Sequence, residues 1–168
     1  RMLPHLKNRI ISEVRCPKGI DNACFYKKHP AGEKKADGVG VLPLAESDGE
    51  MADYYYITAR EGILSAVQMN TLEVHTWGSR VDTLEQPDMM VFDLDPDEGL
   101  DMDRVRRGVR DLKVLLDQLS LVSYLKTSGG KGYHVVIPLR PAGDWDNFHG
   151  FAENIVKTME AMWPDRYT

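Results

Sequence analysis

Apolar and polar positions alternate along this chain in a way that divides it into strands and helices. Residues 4–10 read as the end of a helix, residues 11–15 alternate weakly as a strand, and Cys16-Pro17-Lys18-Gly19 then turns the chain. Phe25-Tyr26-Lys27-Lys28-His29 has the pattern of an amphipathic strand, and Tyr54-Tyr55-Tyr56-Ile57 predicts another. Ile63, Leu64 and Val67 lie at helical spacing within residues 60–69. Residues 71–77 return to a period of two, with Leu72, Val74 and Thr76 on one face and Thr71, Glu73, His75 and Trp77 on the other. Residues 89–94 form a strand candidate that Pro96, which cannot donate to a ladder, terminates. The strongest helix spans 103–119: Val105, Val109, Leu112, Leu115, Leu116 and Leu119 make one stripe, flanked by Arg104, Arg106, Arg107, Arg110 and Lys113. Two further strands, 121–126 and 133–139, precede a helix from an Asp144 cap to Trp163. Between residues 30 and 50, six Gly and Pro and seven charges in 21 residues predict a long loop.

Composition narrows this pattern to one globular domain with a real core, at 168 residues, 42% hydrophobic and 28% charged. No apolar run reaches the roughly 18 residues that cross a bilayer. No signal peptide opens the chain, so a cytoplasmic location is expected. Cys16 and Cys24 are too few for a disulfide scaffold and have no zinc-ligand companions, which predicts two reduced, buried thiols. The net charge of -5 argues against a polyanion partner, but its distribution does not. Residues 1–35 carry nine Lys and Arg against three Asp and Glu, and the remaining 133 carry 12 against 23. A basic surface beside an acidic one follows, although a basic run also serves as an ordinary solvated face.

Candidate chemistry gathers at two places. Asp93 and Asp95 are two residues apart on one strand, so both carboxylates emerge on one face while Phe92 and Leu94 turn into the core. Adjacent carboxylates repel unless a cation separates them, which fits a hard, oxygen-seeking metal; the alternative is a strand running into the acidic turn of Asp97, Glu98, Asp101 and Asp103. The second place is Thr127-Ser128-Gly129-Gly130-Lys131-Gly132, followed by Tyr133 and His134. Its glycines let backbone N–H groups turn toward an anion, with Ser128, Lys131 and His134 as further donors; the plainer alternative is a glycine-rich hairpin. It lacks the Walker A spacing and leads into a strand. If the three neighbouring strands share a sheet, both places face one cleft, and a metal and a phosphate meet there as phosphoryl transfer requires. Elsewhere, Phe25 and Tyr26 directly before the cations Lys27 and Lys28 suit stacking on bases and pairing with phosphates, although an ordinary amphipathic strand has the same pattern. His75 is either a phosphate contact or a packed structural residue.

The strings QMNTLEVHTWGSR, PDMMVFDLDPDEG and LKTSGGKGYHVVIPL, in this order and spacing, resemble the polymerase domain of bacterial ligase D, in the archaeo-eukaryotic primase superfamily. The resemblance covers residues 3–167 and implies an α+β fold, a mixed or antiparallel sheet flanked by helices, as a single primase-polymerase-like domain over 1–168. It implies nucleotide addition at DNA ends or gaps in non-homologous end joining, with Asp93 and Asp95 catalytic and holding Mn²⁺ or Mg²⁺. By the same resemblance Ser128, Lys131, His134 and His75 contact the incoming nucleoside triphosphate, Phe25 and Tyr26 stack near the template with Lys28 beside them, and residues 30–50 belong to a region used when two ends meet. Implied partners are DNA with a 5′-phosphate, Ku and a ligase domain, in a nucleoid-associated setting with no membrane. In that family a third metal carboxylate comes on a later strand, after the helix ending near Trp163, and lysines for the 5′-phosphate precede residue 3, so the chain, read as truncated at both ends, is expected to be weak or inactive alone. The rival expectation is a non-catalytic module that binds DNA ends; a metal-dependent phosphohydrolase is a third.

Overall fold

A computed structural model of the chain describes residues 1–30, 36–99 and 101–167. Two compact units make it up, Arg1–Leu84 and Glu85–Thr168. The first opens on a short helix α1 (Leu3–Leu6). Strands β1 (Ile11–Arg15), β2 (Phe25–Lys27) and β5 (Thr71–Thr76) form an antiparallel sheet in the order β2-β1-β5, and β3 (Val39–Ala45) pairs with β4 (Met51–Ile57) as a hairpin. Helix α2 (Arg60–Gln68) follows β4. Leu6, Ile11, Tyr55 and Ile57 are buried together, with Leu3, Val39, Ile63 and Val74 packed around them.

Three expectations are corrected in this unit. Residues 4–10 do not continue a helix: Asn8 adopts φ 58, and Lys7 and Ile10 make bridges to Ile57 and Tyr56 instead. The long loop predicted over 30–50 contains β3, paired with β4 along its whole length from Val39↔Ile57 to Ala45↔Met51. Glycine and charge counts hid the Val39, Val41 alternation, and Pro43 is tolerated because β3 has a partner on one side only. Residues 31–35 of that stretch lie outside the described residues. The cysteines are not free thiols: Cys16 and Cys24 form a disulfide, with Cα atoms 4.3 Å apart. The ladder pairs Arg15 with Phe25, so the next residues on each strand meet across the turn. Register, which composition does not report, placed them face to face. Cys16 is buried and Cys24 is exposed.

The second unit is built on β6 (Met89–Leu94), β7 (Tyr124–Thr127) and β8 (Tyr133–Pro138), all antiparallel in the order β6-β8-β7. Helices α3 (Met102–Gln118) and α4 (Trp145–Met162) cover one face. Met90, Val135 and Ile137 from the sheet pack against Leu112, Leu115 and Leu116 of α3 and Ile155 and Met159 of α4. Burial of each such side chain contributes about 1.5–3 kcal/mol. Asp101 caps α3 through the Asp103 N–H, two residues ahead of the predicted start. Asp144 caps α4 as anticipated, and hydrogen bonds from Asn147 hold its carboxyl below the usual range. Strand β7 starts later than predicted because the Leu121 N–H is taken by the Leu116 carbonyl, closing the end of α3.

Among the described residues, one polar network ties the C-terminal turn to α3. Buried Asp111 accepts hydrogen bonds from Arg166 Nη1 and the Tyr167 hydroxyl, each at 2.7 Å. Burial, with that bond to Asp111, pushes the Tyr167 phenol up from its ordinary value. Asp111→Ala leaves both donors without their acceptor and is expected to cost about 1–3 kcal/mol in urea unfolding. Asp111→Asn, which keeps an acceptor oxygen, should recover part of it; equal losses in the two variants would refute the network's contribution.

Candidate active site

Strand periodicity places Asp93 on the sheet face opposite α3 and α4. Phe92 and Leu94 pack into the core, and the Asp93 and Asp95 residues are exposed. Asp93 lies directly across from His134 in the β6–β8 ladder, and its Oδ1 is 3.2 Å from His134 Nε2. Asp95 sits one residue beyond the end of β6 and packs on the glycine turn. A Cβ built on Gly132 would stand 1.9 Å from Asp95 Oδ1 and 2.5 Å from the Leu94 carbonyl oxygen. The carboxylate strand and the turn therefore touch through a position where only glycine leaves room.

The turn between β7 and β8 is organised by Ser128. Its Oγ accepts hydrogen bonds from the N–H groups of Gly130 and Gly132, at 3.3 and 3.1 Å, and donates to the Gly132 carbonyl at 3.1 Å. Gly129 takes φ 93, a conformation costly for any residue with a Cβ. Here the Ser128 hydroxyl, expected to face an anion, bonds within its own turn. Lys131 is exposed and, with Gly130, borders an open groove of about 680 Å³ whose other wall is Pro96, Asp97, Glu98, Gly99 and Met102. The structure thus brings Asp93, Asp95, His134 and the Ser128–Lys131 turn together at one end of the second unit's sheet.

In the first unit, His75 and Tyr26 share a face of the β2-β1-β5 sheet, their rings 5.6 Å apart. His75 Nε2 lies 3.1 Å from Glu73 Oε2, a partner that sequence reading did not single out. Phe25 and Tyr26 are both about half exposed. As successive strand residues they point to opposite faces, so the aromatic pair does not present one continuous surface. Lys28 is exposed, whereas its neighbour Lys27 is buried in a cavity wall with Glu13 and Arg15, which pair at 2.7 Å.

Exposed carboxylate oxygens fit a hard divalent cation. Among the described residues no group of three or more His, Cys, Asp and Glu side chains is arranged to hold a metal ion. Two carboxylates match the Mg²⁺ habit of taking one or two protein ligands and completing the shell with water and substrate phosphates. His134 beside Asp93 would orient that carboxylate from the second coordination sphere.

The fold is that of a solved structure, the polymerase domain of Mycobacterium tuberculosis ligase D in complex with DNA: the TM-score is 0.85 at 26% identity, over 97% of this chain and 59% of that one. The chain accordingly has the α+β architecture of the ligase D polymerase domains. Residues 1–168 match the family described as LigD, primase-polymerase domain, and the chain belongs to that family. The multifunctional non-homologous end joining protein LigD of Pseudomonas aeruginosa is 38% identical over 167 residues, which is 99% of this chain and 20% of that protein. The bifunctional protein of Bacillus subtilis is 28% identical, over 99% of this chain and 26% of its own length. The chain thus spans about a fifth to a quarter of these relatives. Among the described residues no helix is long and apolar enough to cross a membrane.

Proposed function

We propose that the two units act as one catalytic domain, a DNA-dependent nucleotidyltransferase that adds nucleotides at DNA ends or gaps during non-homologous end joining. The observation that carries this reading is the contact of the Asp93–Asp95 strand with the Ser128–Lys131 turn through Gly132, on a chain of the LigD primase-polymerase family. Asp93 and Asp95 would hold Mn²⁺ or Mg²⁺, which when bound neutralises phosphate charge and lowers the pKa of an attacking hydroxyl. Lys131 would meet the triphosphate as a point charge, and His134 would keep Asp93 aimed while offering a further donor to phosphate. The primer 3′-hydroxyl would attack the α-phosphorus and lose its proton to solvent as the α–β phosphoanhydride breaks and pyrophosphate leaves. Tyr26, Phe25 and Lys28 would hold the template strand by stacking and charge, with His75 near the nucleotide. A cytoplasmic, nucleoid-associated setting and contacts with Ku and a ligase domain follow from the same assignment.

The experiment is templated extension of a primer on gapped DNA carrying a 5′-phosphate, with Mn²⁺ and then with chelator. Metal-dependent addition of the templated nucleotide supports the enzyme. Salt-sensitive binding to the same DNA, without extension and without metal-dependent nucleotide binding, would replace it with a non-catalytic end-binding module.

A further inference from the structure

The register of the second unit's sheet carries the site one residue beyond those already discussed. His134 stands directly opposite Asp93 on one side and directly opposite Lys126 on the other. Directly opposed residues in antiparallel strands project from the same face, with Cβ atoms about 4.5–5.5 Å apart. Carboxylate, imidazole and ammonium therefore form a single row across β6, β8 and β7, on the face that α3 and α4 leave open. Two strand spacings put the ends of that row about 10 Å apart at their backbones.

Lys126 is exposed, and all four residues of β7 are exposed with it. Among the described residues its ammonium has no hydrogen bond or ion pair, whereas Lys113 and Lys157 are tied to Asp117 and Glu153 on their own helices. No described residue of the unit thus pairs with this charge. It also precedes the Ser128 turn by two residues, so Lys126 and Lys131 bracket that turn.

We propose that Lys126 is a nucleotide-binding residue, the cation that receives the phosphate end farthest from Asp93. The proposal rests on the reading that the Asp93 row binds a metal–triphosphate complex. A triphosphate laid along the row, with a cation held by Asp93 and Asp95, would have His134 beneath its middle and a residual negative charge over β7. Lysine suits that end because an ammonium on a flexible stem meets a phosphate whose orientation is not fixed by a fork. A nucleoside monophosphate held at the same metal would not extend to β7. Lys126 therefore discriminates the triphosphate from the monophosphate.

The test is calorimetric titration of the chain with ATP and with AMP, each with and without Mn²⁺, for wild type, Lys126→Met, Lys126→Arg and Asp93→Asn. Lys126→Met is expected to weaken Mn²⁺–ATP binding about tenfold, the value of one charge-assisted phosphate contact, and to leave AMP unaffected. Lys126→Arg should restore most of it. The residue is exposed, so thermal unfolding should not move. Unchanged ATP affinity in Lys126→Met, beside a clear loss in Asp93→Asn, overturns the assignment of Lys126 and leaves the site intact. Equal weakening of ATP and AMP also overturns it. Loss of gapped-DNA binding with ATP affinity kept would give the lysine to a DNA strand instead. Wild-type binding indifferent to Mn²⁺ and to Asp93→Asn would reject the underlying site, and this residue's role with it.

Discussion

Asp93→Asn is expected to remove the proposed Mn²⁺-dependent nucleotide binding while the fold stays intact. The Asp93 side chain is 58% exposed and its side-chain contact among the described residues is His134, so its charge contributes little to stability. Asparagine has the same shape and keeps an oxygen on the His134 side. What disappears is an anionic oxygen donor, and a hard divalent cation has few others here. Loss of a carboxylate ligand should lower Mn²⁺–ATP affinity by about 3 kcal/mol, roughly a hundredfold, and any templated extension at least as much. Calorimetry with Mn²⁺ and ATP, beside a thermal melt, separates the two effects. Undiminished binding would sink the proposed metal site, and a large drop in melting temperature would show that Asp93 is structural after all.

Gly132→Ala should be the most damaging single methyl group at the site. The added carbon would stand 1.9 Å from the Asp95 carboxylate and 2.5 Å from the Leu94 carbonyl oxygen. Asp95 can rotate away, but Leu94 belongs to the backbone of β6 and is paired with Tyr133. Relief therefore requires the turn to separate from the strand. That movement breaks the Ser128 contacts to the Gly132 N–H and carbonyl, which give the turn its shape. Overpacking of this kind costs about 1–3 kcal/mol, and the same displacement should abolish Mn²⁺-dependent nucleotide binding. Gly130→Ala is the control: its nearest neighbour would be Ser128 Oγ at 3.9 Å, an ordinary contact. If both variants bind nucleotide like wild type, the contact between turn and carboxylate strand has no functional weight.

Much of this architecture could be read before any coordinates, for reasons visible in particular elements. Helix α3 has Leu112, Leu115 and Leu116 at spacings that only a helix brings to one side, and all three are buried. Strand β6 alternates so regularly that Asp93 could be assigned to the open face from spacing alone. Where local composition and long-range pairing disagreed, pairing prevailed. Strand β3 carries glycines and a proline that read as loop, yet β4 supplies hydrogen bonds along seven paired positions. The Cys16–Cys24 bond was invisible for the same reason, since eight residues of separation say nothing about which positions a ladder sets opposite each other.

The chain's order of residues by itself determined the helical and strand periods, the capping aspartates, and the alternation that puts Asp93 on the open face of its strand. These are local properties, set by backbone geometry over a few residues. Only the tertiary structure decided that His134 stands between Asp93 and Lys126, that Ser128 spends its hydroxyl on its own turn, that Gly132 is the point of contact, and that Asp111 anchors Arg166 and Tyr167. Those facts depend on strand order and register, which arise when distant segments bury their apolar faces together.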